Sequence, residues 1–338
     1  MLCRKLLRDG TGVPGMAQQG FDRRMFAAAL AAGAAGAFGA GSAVAGAIVD
    51  VSPSSRLTPL DEQTYYPPTS LSTVADIYRR MTAAVGVNGA GPFAFVVDTG
   101  ANQSVISREL ALKLGLPDGP PAPLNGVAGI EVAPTTTAAL VVGGRMLPAA
   151  TLSVLPQAAI GGNGMLGLDT LEGDRLTLDF RGQTLRIESG GRLWRDSREV
   201  TIKAQRRDGQ LTLVDADLAG IPLIAFLDSG AQNTIGNMAL RSLAITRHPT
   251  MVWSATPIIS ATGQTIDAEI ADLPALRLGG MRLPNWPVAF ADLHTFKMWN
   301  LTDKPAILMG VDVLSRFQQV CLDFARNEVR FRLPNSAW

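Results

Sequence analysis

The sequence contains few of the residues on which common enzyme sites depend. It has two cysteines, Cys3 and Cys321, and two histidines, His248 and His294, among 338 residues. Two cysteines cannot build a disulfide framework. The histidines stand 46 positions apart, with no cysteine or carboxylate at ligand spacing. We therefore expect no metal site, no cofactor and no catalytic triad, and we place both histidines on the surface or in loops.

Charged and aromatic residues are also scarce. Charged residues make up 17% of the chain, the net charge is +1 and no basic run is present, so we expect no nucleic-acid partner. Aromatic residues make up 6%, which argues against a glycosidase with a sugar-stacking cleft. What the chain has instead is apolar residues (47%), with 35 glycines and 21 prolines. This composition is typical of a compact protein with many turns.

The N-terminal residues 1–47 are similar to an export signal. A twin arginine at residues 23–24 precedes an Ala- and Gly-rich stretch over residues 27–47. The pattern resembles a twin-arginine signal, with a small-residue cleavage site within residues 43–47, and predicts export to the periplasm. Two alternatives stay open. The stretch 27–47 is long enough to be a membrane anchor, or Met16 is the true start and the extension has no function.

An internal repeat organises the rest of the chain. Residues 81–114 align without gaps onto residues 211–244, at a constant offset of 130. Three further blocks follow in the same order, at offsets of 136, 143 and 144: residues 140–144 with 276–280, 165–169 with 308–312, and 176–180 with 320–324. Conserved order with a slowly growing offset indicates a gene duplication. We therefore expect a linker or short pro-segment at residues 48–74, then lobes at residues 75–190 and 191–338.

Each copy has the pattern of a β-rich fold. Apolar runs of buried-strand length are followed by Gly-containing turns. The predicted strands are residues 93–97, 136–142, 223–227 and 273–278, and a hairpin turn is predicted at residues 181–183. Short helices are expected at residues 108–114, 168–171 and 313–317.

Two aspartates follow the equivalent apolar runs of the two copies. Asp98 and Asp228 each end a buried strand, where an unpaired charge is costly. The glycine two positions on allows a sharp turn and close approach of the two loops. The residue between offers a hydroxyl that can bond across to the opposite loop. The supporting loop residues are thus Thr99, Gly100, Ser229 and Gly230.

These aspartates would meet if the lobes pair about a pseudo-twofold axis. Two carboxylates in contact cannot both ionise, so they share one proton. The ionised member can take a proton from a water that attacks a carbonyl, and the protonated member can donate to the carbonyl oxygen. A single Asp before Gly is more often a simple turn residue, but its duplication favours a catalytic pair.

Residues 95–101 and 225–231 resemble the active-site strands of retropepsin-like aspartic proteases. The apolar-apolar-Gly elements of that family are matched by residues 165–167 and 308–310. The resemblance covers about residues 75–338. It implies an all-β fold of two β-barrel lobes with short helices, related by a pseudo-twofold axis, with the active cleft between them. It also implies an aspartic endopeptidase acting on peptide or protein substrates, complete as a monomer because one chain supplies both aspartates.

The chain departs from pepsin-like enzymes at the residue after each glycine. Pepsin-like enzymes have Ser or Thr there, whereas this chain has Ala101 and Ala231, as retroviral enzymes do. Losing a donor to the charged carboxylate raises its pKa. We therefore expect a less acidic pH optimum than that of pepsin.

Family enzymes cover the cleft with Gly-rich hairpins. The corresponding positions here predict two flaps, although each is also compatible with an ordinary turn. The residues are Gly126, Val127, Ala128 and Gly129 in the first lobe and Thr262 and Gly263 in the second. The second lobe has extra length near residues 290–305, which either lines the cleft or forms a surface loop.

Some alternatives stay open. The chain could be a non-catalytic peptide-binding protein on the same scaffold, since fold does not fix function. Two other aspartate pairs also correspond between the copies, and we expect them to cap helices or begin hairpin turns. These are Asp169 with Asp312 and Asp179 with Asp323.

Overall fold

The computed structural model describes residues 69–75, 79–171, 175–188, 197–207, 210–213, 215–274, 276–283 and 285–334. The predicted signal or anchor at residues 1–47 and most of the predicted linker lie outside these residues, and so does the predicted lobe boundary after residue 190. No helix in the described part is long and apolar enough to cross a membrane.

Strands form 52% of the structure and helices 12%, which confirms the all-β class. The elements of the first lobe are β1 (Thr69–Ala75), β2 (Met81–Val87), β3 (Ala90–Val97), β4 (Val105–Ser107), α1 (Arg108–Lys113), β5 (Asp118–Asn125), β6 (Ile130–Val142), β7 (Arg145–Leu155), α2 (Gln157–Ile160), β8 (Gly164–Leu166), β9 (Arg175–Asp179) and β10 (Thr184–Glu188).

The second lobe repeats this order with additions. Its elements are β11 (Glu199–Arg207), β12 (Gln210–Leu213), β13 (Ala216–Leu218), β14 (Ile221–Pro222), β15 (Ile224–Leu227), β16 (Ile235–Gly236), α3 (Met238–Arg247), β17 (Ser254–Ile259), β18 (Thr265–Leu273), β19 (Leu276–Leu278), β20 (Met281–Arg282), β21 (Trp286–Phe290), α4 (His294–Met298), β22 (Ala306–Met309), α5 (Val311–Leu314), β23 (Gln319–Asp323) and β24 (Glu328–Arg332).

The two lobes share their strand pairing. In the first lobe β3 runs parallel to β8, and β4 pairs antiparallel with β8 and parallel with β7. In the second lobe β15 runs parallel to β22, and β16 pairs antiparallel with β22 and parallel with β21. The hairpins β5–β6 and β17–β18 occupy equivalent places. The sequence repeat therefore corresponds to a repeated pattern of strand pairing.

A six-stranded antiparallel sheet joins the lobes in the order β1-β10-β9-β23-β24-β11. The central pair, β9 with β23, comes from different lobes and places Leu178 opposite Val320, both fully buried. Cys321 in β23 is a free thiol opposite Thr177, and burial raises its pKa to about 11. Burying strands from both lobes in one sheet holds the lobes together.

Most of the predicted elements are present. Strands at residues 93–97, 136–142 and 223–227 and the hairpin turn at 181–183 are confirmed, and so is the first helix, which Ser107 caps by accepting from the Leu110 N–H. The strand predicted over residues 273–278 is confirmed only in part: Leu273 is the last residue of β18 and Leu276–Leu278 form β19, with Pro274 outside both strands. Proline cannot donate to a ladder there.

The predictions for the short helices were less accurate. The helix expected at 168–171 is a single turn, closed by the Thr170 and Leu171 N–H groups on the Gly167 carbonyl. The one expected at 313–317 begins two residues earlier, at Val311. The strand β1 takes in residues 69–74, which fall in the predicted linker.

Candidate active site

Asp98 and Asp228 lie at the ends of β3 and β15, and their exposed fractions are 0% and 1%. The apolar-apolar-Gly elements run in parallel beneath them as β8 and β22. The Asp98 N–H donates to the Leu166 carbonyl at 3.0 Å, and the Asp228 N–H donates to Met309 at 3.0 Å. Each aspartate is thus fixed by a buried parallel strand pair, and the two settings are equivalent.

The glycines of the two loops allow the carboxyl groups to approach the opposite lobe. A Cβ atom on Gly100 would lie 2.5 Å from the Asp228 Cγ, and one on Gly230 would lie 2.2 Å from the Asp98 Oδ2. Real Cβ atoms do not approach so closely, so each carboxyl group occupies the space that a side chain would take in the other loop. The predicted role of both glycines is confirmed in this respect.

Thr99 and Ser229 lock the loops together across the pseudo-twofold axis. The Thr99 hydroxyl donates to the Leu227 carbonyl at 3.0 Å and accepts from the Ser229 N–H at 3.0 Å. Reciprocally, the Ser229 hydroxyl donates to the Val97 carbonyl at 2.8 Å and accepts from the Thr99 N–H at 3.1 Å. Four buried bonds between the lobes confirm the predicted cross-bonding and fix the separation of the aspartates.

One oxygen of each carboxyl group is held by its own loop. Asp98 Oδ1 accepts from the N–H groups of Gly100 (2.8 Å) and Ala101 (3.0 Å). Asp228 Oδ1 accepts from Gly230 (2.9 Å) and Ala231 (3.0 Å). Each Oδ2 is buried and receives no N–H or hydroxyl bond from the described residues. These two oxygens can therefore share a proton.

Both carboxyl groups have pKa values above the usual range for aspartate, for partly different reasons. Burial, and then the negative charge of Asp228, raises the pKa of Asp98 well above its usual range. Burial raises the pKa of Asp228 to about 6, although the N–H donors of Ala231 and Gly230 oppose this shift. The negative charge of Asp228 thus favours the protonated form of Asp98.

Arg80 and Gln210 are equivalent residues that flank the two aspartates. The 130-residue offset of the repeat extends to this pair, directly before β2 and in the first position of β12. Arg80 is fully buried and donates to the Ile160 carbonyl at 2.9 Å, and its positive charge lowers the pKa of both aspartates. Gln210 is neutral and donates to the Gly100 carbonyl. The surroundings of the pair are therefore asymmetric in charge.

Asp169 and Asp312, expected to cap helices or begin hairpins, instead support the strands beneath the active loops. Asp169 accepts from the Ser104 hydroxyl at 2.8 Å, and Asp312 from the Thr234 hydroxyl at 2.8 Å. Those hydroxyls in turn accept the N–H groups of Gly167 and Gly310. The other pair, Asp179 and Asp323, begins hairpin turns as predicted.

The predicted flap residues form the tips of the hairpins β5–β6 and β17–β18, and each tip reaches the opposite lobe. Val127 is buried in a cluster of second-lobe residues that includes Phe226 and Ala231. Ala261, beside Thr262 and Gly263, is buried in a first-lobe cluster that includes Val96 and Ala101.

The two tips also bind each other and the second lobe. The Ala128 N–H donates to Gln264 Oε1 at 2.9 Å, and a Cβ on Gly126 would lie 2.2 Å from that oxygen. The Gly126 N–H donates to the Gly129 carbonyl at 2.7 Å, which closes the first tip. The His294 N–H donates to the Val127 carbonyl at 2.7 Å. The hairpins therefore enclose the aspartates in this structure.

Residues 83–173 match the family model of the gag-polyprotein putative aspartyl protease. This match supports the resemblance of the first lobe to the retropepsin-like aspartic proteases. The matched segment carries Asp98 and lies in the first lobe, while the second lobe of this retropepsin-like chain repeats it by internal duplication. The matched family is one of proteases, so the match supports a hydrolase in general terms. No curated protein matches the chain.

Several residues of the site were not predicted from the sequence. Arg80 and Gln210 could have been found by extending the repeat by one residue. Trp299 belongs to the extra length near residues 290–305, for which two predictions stood, a cleft wall or a surface loop; its ring stacks on Phe226 at 4.2 Å, which favours the first. Within the described residues, no group of three or more His, Cys, Asp or Glu side chains could hold a metal ion.

Proposed function

We propose that the chain is an aspartic endopeptidase in which Asp98 and Asp228 activate a water against a peptide bond. The observation that carries this proposal is a pair of buried carboxyl groups at the cross-bonded loops, each with one oxygen held by N–H groups and the other without a bond from the described residues. One proton shared by two carboxyl groups supplies both a general base and a general acid at the same pH.

The steps follow from this arrangement. Ionised Asp228 takes a proton from water as the water oxygen bonds to the carbonyl carbon, and Asp98 donates its proton to the carbonyl oxygen. In the resulting tetrahedral intermediate, a hydroxyl proton returns to Asp98 and the proton on Asp228 passes to the leaving nitrogen. The C–N bond then breaks, giving an acid and an amine, and the shared proton is restored.

We infer that the two hairpins act as flaps. Both aspartates are buried beneath hairpin tips that bind each other, so a peptide can enter only after the tips separate. Closure over a bound peptide would exclude water other than the nucleophile and strengthen the electrostatic interactions within the site.

A monomer should suffice for this activity, because one chain supplies both aspartates and the cross-bonds of Thr99 and Ser229. Activity per mole of chain should then stay constant on dilution, and sedimentation should give one chain per active particle. Activity per chain that falls on dilution would contradict this.

We further propose export through the twin-arginine-like segment within residues 1–47. Replacing both arginines at residues 23–24 by lysine should keep the protein in the cytoplasm of a producing bacterium, and fractionation would detect the change. A protein that remains in the membrane fraction of wild-type cells would support the anchor instead.

The test of the proposed activity is cleavage of a mixed peptide library by the full chain. Asp98→Asn and Asp228→Asn should each abolish cleavage, by about a thousandfold or more, because either change removes the shared proton. Asp118→Asn, at an exposed aspartate, is the matched control. A pepstatin-type inhibitor should block the wild type. A wild type that binds peptides but never cuts them would indicate a peptide-binding protein.

A further inference from the structure

Gln210 reaches across the lobe boundary to the loop that carries Asp98. It is the first residue of β12, which pairs with β15, the strand that ends beside Asp228. Gln210 is 4% exposed, and its amide Nε2 donates to the Gly100 carbonyl of the first lobe. This bond is therefore a contact between the lobes in addition to the four reciprocal hydroxyl bonds.

The Gly100 carbonyl belongs to the peptide unit that holds the Asp98 carboxyl group. The other end of this Gly100–Ala101 peptide unit is the Ala101 N–H, which donates to Asp98 Oδ1 at 3.0 Å. Because the unit is planar, its carbonyl and its N–H point in opposite directions and turn only together. A donor that fixes the carbonyl therefore also fixes the N–H, and it polarises the unit so that the N–H bond becomes stronger.

The Gly100–Ala101 peptide unit depends on Gln210 for this support. Among the described residues, Gln210 is the one hydrogen-bond donor to its carbonyl. Gly100 has no side chain to restrict its backbone dihedrals, so an unsupported unit can rotate. The Gly100 Cα also faces the opposite carboxyl group, since a Cβ there would lie 2.5 Å from the Asp228 Cγ. Rotation of the unit would therefore disturb both aspartates.

We propose that Gln210 is a positioning residue for the aspartate pair, because its amide fixes the Gly100–Ala101 peptide unit in the orientation that holds Asp98. This inference rests on the proposed protease function. The charged groups that act on Asp98 are Asp228 and Arg80. Gln210 is neutral, so its effect on Asp98 passes through the peptide unit and its hydrogen bond, not through a charge.

The first test is the pH dependence of peptide cleavage by the full chain. Gln210→Met keeps the length of the side chain and removes its donor, so kcat should fall about tenfold while KM changes by less than about twofold. Weaker holding of Asp98 Oδ1 disfavours the ionised carboxylate. The alkaline limb of the kcat profile should therefore move to higher pH by about half a unit, while the acidic limb, set by Asp228, stays in place.

Two further variants separate positioning from a general loss of structure. Gln210→Leu should give the same pH profile as Gln210→Met, and circular dichroism would establish that both are folded. Gln205→Met, at an exposed glutamine of β11 in the same strand pair, is the matched control and should behave as the wild type. A lower kcat with both limbs in place would indicate a structural role only and overturn the proposal, and so would a wild-type kcat in both Gln210 variants.

A carboxyl titration separates this inference from the proposed function. The wild type and Gln210→Met, labelled with ¹³C at the aspartate carboxyl carbons, are titrated by NMR without substrate. The Asp98 titration should move to higher pH in the variant, and the Asp228 titration should not. If the wild type cuts no peptide, this shift would still support positioning while the protease proposal fails. An unshifted Asp98 titration would overturn the positioning role, whether or not the wild type is active.

Discussion

The two lobes are alike where the aspartates are held and different in the charge and the length of chain around them. The strand pairs, the glycines and the reciprocal hydroxyl bonds recur at equivalent positions. The buried arginine of the first lobe corresponds to Gln210 in the second, and the connection before β22 is seven residues longer than the one before β8. The repeated features bring the two carboxyl groups together, whereas Arg80 places a charge beside them from one lobe only.

Substitution of the two loop glycines should have the largest effect on activity. Gly100→Ala and Gly230→Ala should each reduce kcat/KM by about a thousandfold, because the added Cβ would lie 2.5 Å or less from the opposite carboxyl group. Gly162→Ala is the control, since its nearest contacts would be at 3.5 Å. Circular dichroism would establish folding. If only one of the two alanine variants lost activity, the lobes would not be equivalent at this point.

Because the pKa of Asp228 is raised in the folded protein, replacing Asp228 by Asn should increase the free energy of unfolding at high pH. Because the folded pKa of about 6 exceeds the unfolded value near 3.8, the folded state binds more protons between these values and loses stability as the pH rises through them. Asp228→Asn should therefore be more stable than the wild type by up to about 3 kcal/mol at pH 8, with the gain vanishing below about pH 4. Denaturant unfolding across this pH range is the measurement, and a gain that grows towards low pH would contradict it.

The sequence allowed the paired aspartates, their loop partners and the hairpin tips to be predicted, because each depends on local pattern repeated twice. The helix α3 was missed although the repeat contains it: residues 108–114, where a helix was predicted, correspond to residues 238–244 at the offset of 130. Asn237 caps α3 by accepting from the Leu240 N–H, but the apolar residues of the helix do not follow a helical period clearly. The position of Trp299 depends on Phe226, 73 residues away, which no local pattern encodes.

The flaps offer a smaller test of the difference between the lobes. At the first hairpin tip, the Val127 carbonyl accepts a hydrogen bond from the N–H of His294 in α4. At the second tip, Ala261 has no corresponding backbone bond to the first lobe among the described residues. His294 is the first residue of α4, where proline is tolerated. His294→Pro should remove the bond without breaking the helix and raise KM about fivefold relative to His294→Ala. Equal KM values in the two variants would show that this bond does not hold the flap.

The charge asymmetry between Arg80 and Gln210 should appear in the pH profile. Activity should rise as Asp228 ionises near pH 6 and fall at higher pH as Asp98 ionises. Arg80→Gln removes a charge that lowers both pKa values, so both limbs should move to higher pH by about one unit. Arg80→Lys keeps the charge, so its pH profile should match that of the wild type, and Arg108→Gln, at an exposed arginine, is the control. If the pH profile of Arg80→Gln matched that of the wild type, Arg80 would have no effect on the pKa values of the two aspartates.

The shared proton is the central claim, and a carboxyl titration tests it without any substrate. Protein labelled with ¹³C at the aspartate carboxyl carbons would be titrated by NMR, with Asp98→Asn and Asp228→Asn used to assign the pair. We expect one carboxyl to titrate near pH 6 and its partner to keep its proton to higher pH, with each step changed by substitution of the other aspartate. Two independent titrations near pH 4, each unaffected by the other substitution, would contradict the account.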